Sequence, residues 1–553
     1  MKPEAIDRDA SFAVRLAYPN TASVGASYLG FHKIFAAFSA VCQCEAAFMP
    51  DNGGAGTLNL ARCDLAAFSF TFEMDVLNLL RMLKENNIPL MAAERNDRHP
   101  LVCAGGIVPT MNPEPFAAFF DFFVLGEGEL AIPALVGKLS ASRHGSREQR
   151  LRDIADIEGV YIPSLYEVEE NSDGSIKTRC PLDDAPERVK RLYDPDFGRT
   201  GSAQLAGLEG SIFRDSHLIE TGKGCGQGCR FCASGFVYRP VRHVDKERLF
   251  AQIDEGLAPG GLARKERIGL IGSAICEHPE IGAVYDHILK KGGGINVSSL
   301  RVEYLSAETL ARLAAGGLKT MTIAPEAGSE RLRRAVNKRM TDDDVLGAVR
   351  LAADAGILNV KCYFLIGLPG ERDEDIAALA SLAKRIRDEL LAGSKRHGRA
   401  GKITVGVNPF VPKPQTPFQW EPVAPLAELK EKSAQLKKAL LRESNMELKI
   451  EGGKNAAAQG LLSVGGRSVS TLIMRAFEEG GWTAALKTPA AKSAYARRKE
   501  FGEALPWDFI DSGVTKKYLQ AEAGKAANEK TTPPCPPEHA GCKRCGEFLG
   551  NCC

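Results

Sequence analysis

Three thiols crowd one short stretch of this 553-residue chain: in GKGCGQGCRFCASGF, Gly222 to Phe236, cysteines stand at 225, 229 and 232. Thiolates bind soft metals, and the number gathered in one place restricts what they can hold. A structural zinc ion is four-coordinate and usually takes its ligands as two pairs, so zinc here needs a distant fourth donor such as His217 or His243. A four-iron four-sulfur cluster held by three thiolates keeps one iron open to a small molecule. The intervening Gly224, Gly226 and Gly228 let backbone wrap such a cluster closely and turn amide hydrogens toward its sulfurs. Of the two readings, only the second is redox chemistry.

A second thiol-rich segment, CPPEHAGCKRCGEFLGNCC, carries Cys535, Cys542, Cys545, Cys552 and Cys553. The C-x2-C spacing of Cys542 and Cys545 suits either zinc or an auxiliary iron-sulfur cluster, with an unligated tail as the alternative. The remaining seven of the 15 cysteines are scattered and expected to be small buried apolar residues.

The elements that must position these thiols are legible as alternating strands and helices, an α/β fold. Short apolar runs at AVRLAY, EAAFM, LAAFSF, LVCAGGIV and FFVLGEGE, separated by helical patterns, predict an open parallel sheet over residues 12–140. Ligands of such sheets sit beyond the carboxyl ends of strands, where this chain writes YPN, AGG and GEGE. Residues 141–210 are polar and read as a connector with a small β element near GVYIPSLYEVEE. Six further strand-helix units, from HLIET through RIGLIG, INVSSLR, KTMTIAPE and VKCYFLIG to ITVGVNPF, predict a partial (βα)6 barrel over 211–420. Function in barrels gathers at the strand ends, and the three cysteines follow the first strand. Residues 421–530 read as mostly helical and 531–553 as a Cys-rich tail.

The C-x3-C-x2-C loop with Phe231 before its third cysteine, placed after the first barrel strand, resembles the radical S-adenosylmethionine (SAM) enzymes. The resemblance implies a [4Fe-4S] cluster on Cys225, Cys229 and Cys232, whose open iron is chelated by SAM. It implies one-electron cleavage of SAM to a 5'-deoxyadenosyl radical, fed by a reductant such as a flavodoxin or ferredoxin. Gly272 and Ser273 in GLIGSA resemble the family's glycine motif without its usual acid, and Ser299 and Arg301 stand where a cation meets the methionine carboxylate. Glu326 in APEAGSERL and Gly367 in YFLIGLPGE resemble the residues near ribose and adenine.

Ahead of the barrel, YPN, AGGIVPTMNPEP and VLGEGE resemble the cobalamin-binding type, in which a Rossmann-like domain precedes the radical SAM barrel. That implies a cobalamin-binding-like domain and methyl transfer to an unactivated carbon. The D-x-H-x-x-G segment that supplies an axial histidine is absent, and DRHP around His99 does not match it. The alternatives are a cobalamin-free, RNA-modifying methylthiotransferase-like enzyme and a non-catalytic metal-bearing protein.

Charge excludes little. With 71 Lys and Arg against 69 Asp and Glu, no global field marks nucleic acid or a membrane as partner, and LKEKSAQLKKALLRESNMELK reads most simply as a solvated helix face, an RNA groove being the alternative. The most apolar stretch is interrupted by Asp121, Glu127 and Glu129, so no membrane span is expected, and a cytoplasmic enzyme is. The substrate is not legible.

Overall fold

The computed structural model describes residues 11–50, 59–201, 204, 213, 215–258, 266–536 and 544–546. In the N-terminal part, β1 (Ala13–Thr21), β2 (Gln43–Met49), β3 (Leu65–Ser69), β4 (Leu101–Gly105) and β5 (Phe122–Val124) form a parallel sheet in the order β2-β1-β3-β4-β5. β6 (Val160–Tyr161) closes one edge antiparallel to β5, so the connector lends a strand to the first sheet. LAAFS is buried at every position because helices cover both faces of a parallel sheet. One face packs with the helix Leu29–Ser39, the other with Val76–Glu85 and the C-terminal helices.

The connector also carries a hairpin, β7 (Tyr166–Glu170) with β8 (Ile176–Pro181), and β9 (Val189–Lys190). β10 (Ser216–Lys223) then opens the barrel, flanked by the antiparallel β11 (Arg242–His243) and by β12 (Arg267–Gly272) and β13 (Gly294–Val297). A bridge between Leu300 and Ile323 passes the curvature on to β14 (Thr320–Glu326), β15 (Asn359–Ile366) and β16 (Lys402–Pro409). The six parallel strands thus follow chain order, as a right-handed βα repeat requires. β15 alternates buried and half-buried residues: Val360, Cys362, Phe364 and Ile366 pack on the helices Asp342–Asp354 and Asp373–Ser394, leaving the other face to the barrel interior.

A seventh parallel strand, β17 (Met446–Ile450), pairs with β16 and lies inside the region read as mostly helical. The helix before it, Leu426–Leu440, buries Leu429, Lys432, Leu436 and Leu440 and exposes Lys430, Lys437 and Lys438, a solvated basic face. Helices Gly453–Val464 and Val469–Glu478 return to the first domain, and β18 (Ile510–Asp511) pairs with β9. Among the described residues no helix is long and apolar enough to cross a membrane.

Candidate active site

The thiol loop leaves β10 through Gly224, at φ +79°, where a Cβ would lie 2.7 Å from the Tyr238 carbonyl oxygen; only glycine makes this turn. Beyond it the backbone is fixed by polar contacts. Asn337 Nδ2 donates to the carbonyls of Gln227 (2.9 Å) and Gly228 (3.1 Å), and the Arg230 N–H donates to Val336 O at 3.1 Å. Cys229 is 7% exposed, and Cys225 and Cys232 are half-buried. Burial pushes the Cys232 thiol up to about 11, with Cys229 adding to it; Cys225 moves the same way, through burial and then Glu277. A metal bound by these thiols would have to expel their protons, which would couple its loading to pH.

Arg301, just after β13, faces the thiols. Its Nη1 lies 3.9 Å from Cys229 Sγ, its Nη2 donates to Glu303 at 2.6 Å, and its buried Nε, 3.7 Å from Glu277, has no hydrogen-bond acceptor. Burial alone would lower its pKa, but Cys229, Glu303, Cys225 and Glu277 outweigh it and raise it. Glu277 itself is held above its ordinary value by burial, against the pull of Arg301. Sequence reasoning missed Glu277. GLIGSA lacks an acid, but the short turn that follows carries Glu277 to within 3.9 Å of Cys225 Sγ.

Glu326 ends β14 with φ +67°, after a break in register with β15. Its carboxylate lies 3.5 Å from Lys338 Nζ, which also donates to Ala324 O. Burial raises its pKa and Lys338 only partly opposes this. Cys232 senses both groups, so one neighbourhood holds the thiols, Arg301 and Glu326. Ser299 is exposed on the loop after β13, and Gly367 follows β15 with its N–H donated to Glu371 at 2.6 Å. Phe231 packs with Leu368, Phe410 and Phe418, an apolar cluster.

A cavity of about 450 Å³ lies between the carboxyl ends of the first sheet and the first two parallel barrel strands. Gly105, Gly126, Gly128, Lys223, Gly272 and Ser273 line it, so AGG and GEGE face it and YPN does not. Ion pairs run along its wall: Lys33 to Glu129 (2.7 Å), Arg242 to Glu127 (2.7 Å), and Lys223 3.9 and 3.8 Å from Glu127 and Glu129. Burial works against the charge of Lys223, yet Glu220, Glu127 and Glu129 raise its pKa. Among the described residues no histidine lines the cavity, and His99 lies away from it, accepting from the Asn96 N–H.

Among the described residues no three His, Cys, Asp or Glu side chains converge on a site for a single metal ion, the loop cysteines included. His217 packs on Gly256, and His243 meets His278 edge to face. Three soft thiols in one glycine-rich loop are the donor type that a cluster takes one to an iron. In the tail, Cys535 and Cys545 pack together with Val514 and Tyr518, while Cys542, Cys552 and Cys553 lie outside the described residues. Of the scattered cysteines, Cys63, Cys103, Cys276 and Cys362 are buried and Cys42 and Cys44 half-buried, but Cys180 is exposed on β8.

An incomplete parallel barrel with a three-thiol loop after its first strand, and an open α/β sheet set against it, defines a class of protein. Residues 219–383 match the radical SAM superfamily and residues 54–163 match radical SAM proteins, N-terminal. Residues 219–383 are thus a radical SAM domain, and such a domain implies a [4Fe-4S] cluster and SAM. The chain is 28% identical over 507 residues to the uncharacterized protein MJ0966 of Methanocaldococcus jannaschii, covering 92% of this chain and 98% of that one. It is 29% identical over 238 residues to the dual-specificity RNA methyltransferase RlmN of Sorangium cellulosum, 41% of this chain and 57% of that protein. The structure of the cobalamin-dependent SAM radical enzyme OxsB with aqua-cobalamin bound aligns with a TM-score of 0.47 at 17% identity, over 68% of this chain; the chain spans about half the length of OxsB, 52%.

Proposed function

We propose that Cys225, Cys229 and Cys232 ligate the cluster, that SAM is held at its open iron, and that the enzyme transfers a methyl group to an unactivated carbon with a corrinoid seated in the cavity between the domains. When bound, these groups supply one-electron cleavage of a sulfonium C–S bond and a transferable methyl group. The chain's own residues position and shield them. Arg301 offers a buried N–H without an acceptor to the methionine carboxylate, Gly272, Ser273 and Ser299 border its amino end, and Glu326 and Gly367 border the nucleoside. Phe231 closes the loop with an apolar wall that keeps water from the cluster.

The observation that carries the corrinoid reading is the cavity, which joins the glycine-rich carboxyl edge of the first sheet to Gly272 and Ser273 of the barrel, beside Lys223 at the root of the thiol loop. No described histidine lines the wall, so a corrinoid held there would rest on the glycine-rich strand ends and the Lys223 side of the cavity. The test is anaerobic reconstitution with iron, sulfide and a corrinoid. SAM plus a low-potential one-electron donor should release 5'-deoxyadenosine, and the desalted protein should keep the corrinoid spectrum. A loaded protein that releases none sinks the radical reading.

A second reading, cobalamin-free modification of RNA, draws support from the likeness to the RNA methyltransferase. It predicts deoxyadenosine release with no corrinoid retained after ample supply. The tail cysteines are proposed to hold a second centre, zinc or iron-sulfur, which metal analysis of the full chain before and after removal of residues 537–553 tests.

A further inference from the structure

Arg230 sits between the second and third thiols with its side chain fully buried, and its partner comes from 292 residues away. Nη2 and Nε donate to Glu522 Oε2 at 3.0 and 3.2 Å, Nη2 also to Lys530 O at 2.8 Å, and Nη1 to Ala335 O and Arg334 O at 2.7 and 3.2 Å. Glu522, 1% exposed, also accepts from Lys525 Nζ (2.7 Å) and Thr532 Oγ1 (2.7 Å). The same segment grips the loop twice more. The Thr532 N–H donates to Asn337 Oδ1 at 2.8 Å, the residue that holds Gln227 and Gly228, and the Cys535 N–H donates to Gly226 O at 2.8 Å. Helix Lys516–Ala527 and residues 530–535 are thus the outer wall of the thiol loop.

We infer that Arg230 and Glu522 are a positioning pair that sets the reduction potential of the cluster, with the C-terminal segment built into the site for that purpose. Holding a loop in place does not require charge, because well-packed apolar side chains of similar volume serve as well or better than a buried ion pair. Charge does act on a cluster: its potential follows the net charge, hydrogen bonding and solvent exposure around it. A guanidinium inside the ligand loop favours the more negative reduced state, and Arg230 is close enough to Cys229 for their charges to interact. Glu522 opposes it and holds the potential low, which cleavage of a sulfonium demands.

The inference rests on the cluster assignment proposed above, and the test separates the two. Full-length protein, reconstituted anaerobically, is titrated with reductant without SAM, and the reduced cluster is followed by electron paramagnetic resonance. Glu522→Gln should shift the midpoint to a less negative value, Arg230→Gln to a more negative one, and Arg230→Lys should stay near wild type. Equal midpoints, or shifts of one sign in both neutralising variants, overturn the inference. If a single variant loads poorly, the charge-neutral double variant R230Q/E522Q decides. A fully loaded double variant near wild type, with the single variant that does load shifted in its expected direction, supports the pair's role; a wild-type midpoint in both, or loading lost as in the singles, overturns it. A wild-type chain that takes up no iron and sulfide overturns the cluster assignment and the inference together.

Discussion

At Arg301 two carboxylates and a thiol converge on one guanidinium whose Nε–H still has no acceptor. A planar fork suits a carboxylate, and a lysine cannot reproduce it. Arg301→Lys should therefore weaken SAM binding roughly 10-fold or more while iron and sulfide content stay at wild-type levels, read by equilibrium dialysis against colorimetric iron. Cys229→Ala, which removes one of the proposed cluster ligands, should abolish 5'-deoxyadenosine formation outright. Glu326 gives a pH signature. Its pKa in the fold stands above the ordinary 4.5 because burial disfavours the charged form more than Lys338 favours it. Its favourable contribution is complete below pH 4.5 and is lost as pH rises through the folded value. Glu326→Gln, neutral at every pH, should melt higher than wild type at pH 7 to 8, with the difference closing toward pH 4 in cluster-free protein.

The strands show why some elements are easier to read than others. Gly126 lies at φ +101° where β5 has ended, and a Cβ there would stand 2.2 Å from the Leu192 carbonyl oxygen, a backbone atom that cannot swing aside. Gly126→Ala should cost roughly 2–4 kcal/mol and lower the melting temperature, and widen the cavity that Gly126 lines. Strands such as LAAFS and VKCYFLIG announce themselves because burial on a parallel sheet demands long apolar runs. MELKI does not. Met446, Leu448 and Ile450 alternate with Glu447 and Lys449, but the lysine-rich helix before them carries the stronger pattern, and the strand is decided by the open edge of β16. In the site, cysteine spacing was legible from a local motif. Arg230 and Glu522 were not, since one buried pair across 292 residues leaves no periodicity to detect.

For the whole molecule, a polar lock is set into the apolar core that the first sheet shares with the C-terminal helices. Glu73, from the first domain, is buried and accepts from Lys413, from Gln459 (3.0 Å) and from Ser463 (2.8 Å), tying the barrel exit and a C-terminal helix to the first sheet. Burial pushes the Glu73 pKa up, but Lys413 and Gln459 prevail and hold it below 4.5. Its contribution is present above pH 4.5 and is lost as pH falls through the lower folded value. Glu73→Ala, which strands Lys413, should cost about 3 kcal/mol in denaturant unfolding at pH 7, with the deficit shrinking as the buffer is acidified. The Glu127–Arg242 ion pair ties the first sheet to the barrel from the cavity side, and the bridge of Gly126 with Leu192 ties it to the connector.

Translation adds an order to this architecture. The stretch from Gly222 to Phe236 leaves the ribosome with more than half of the chain behind it and nearly 300 residues before Cys535, whose amide caps Gly226, has been made. During that interval the nascent thiols lack the wall that helix Lys516–Ala527 and residues 530–535 later supply, so the loop is enclosed only once the C-terminal segment has been made.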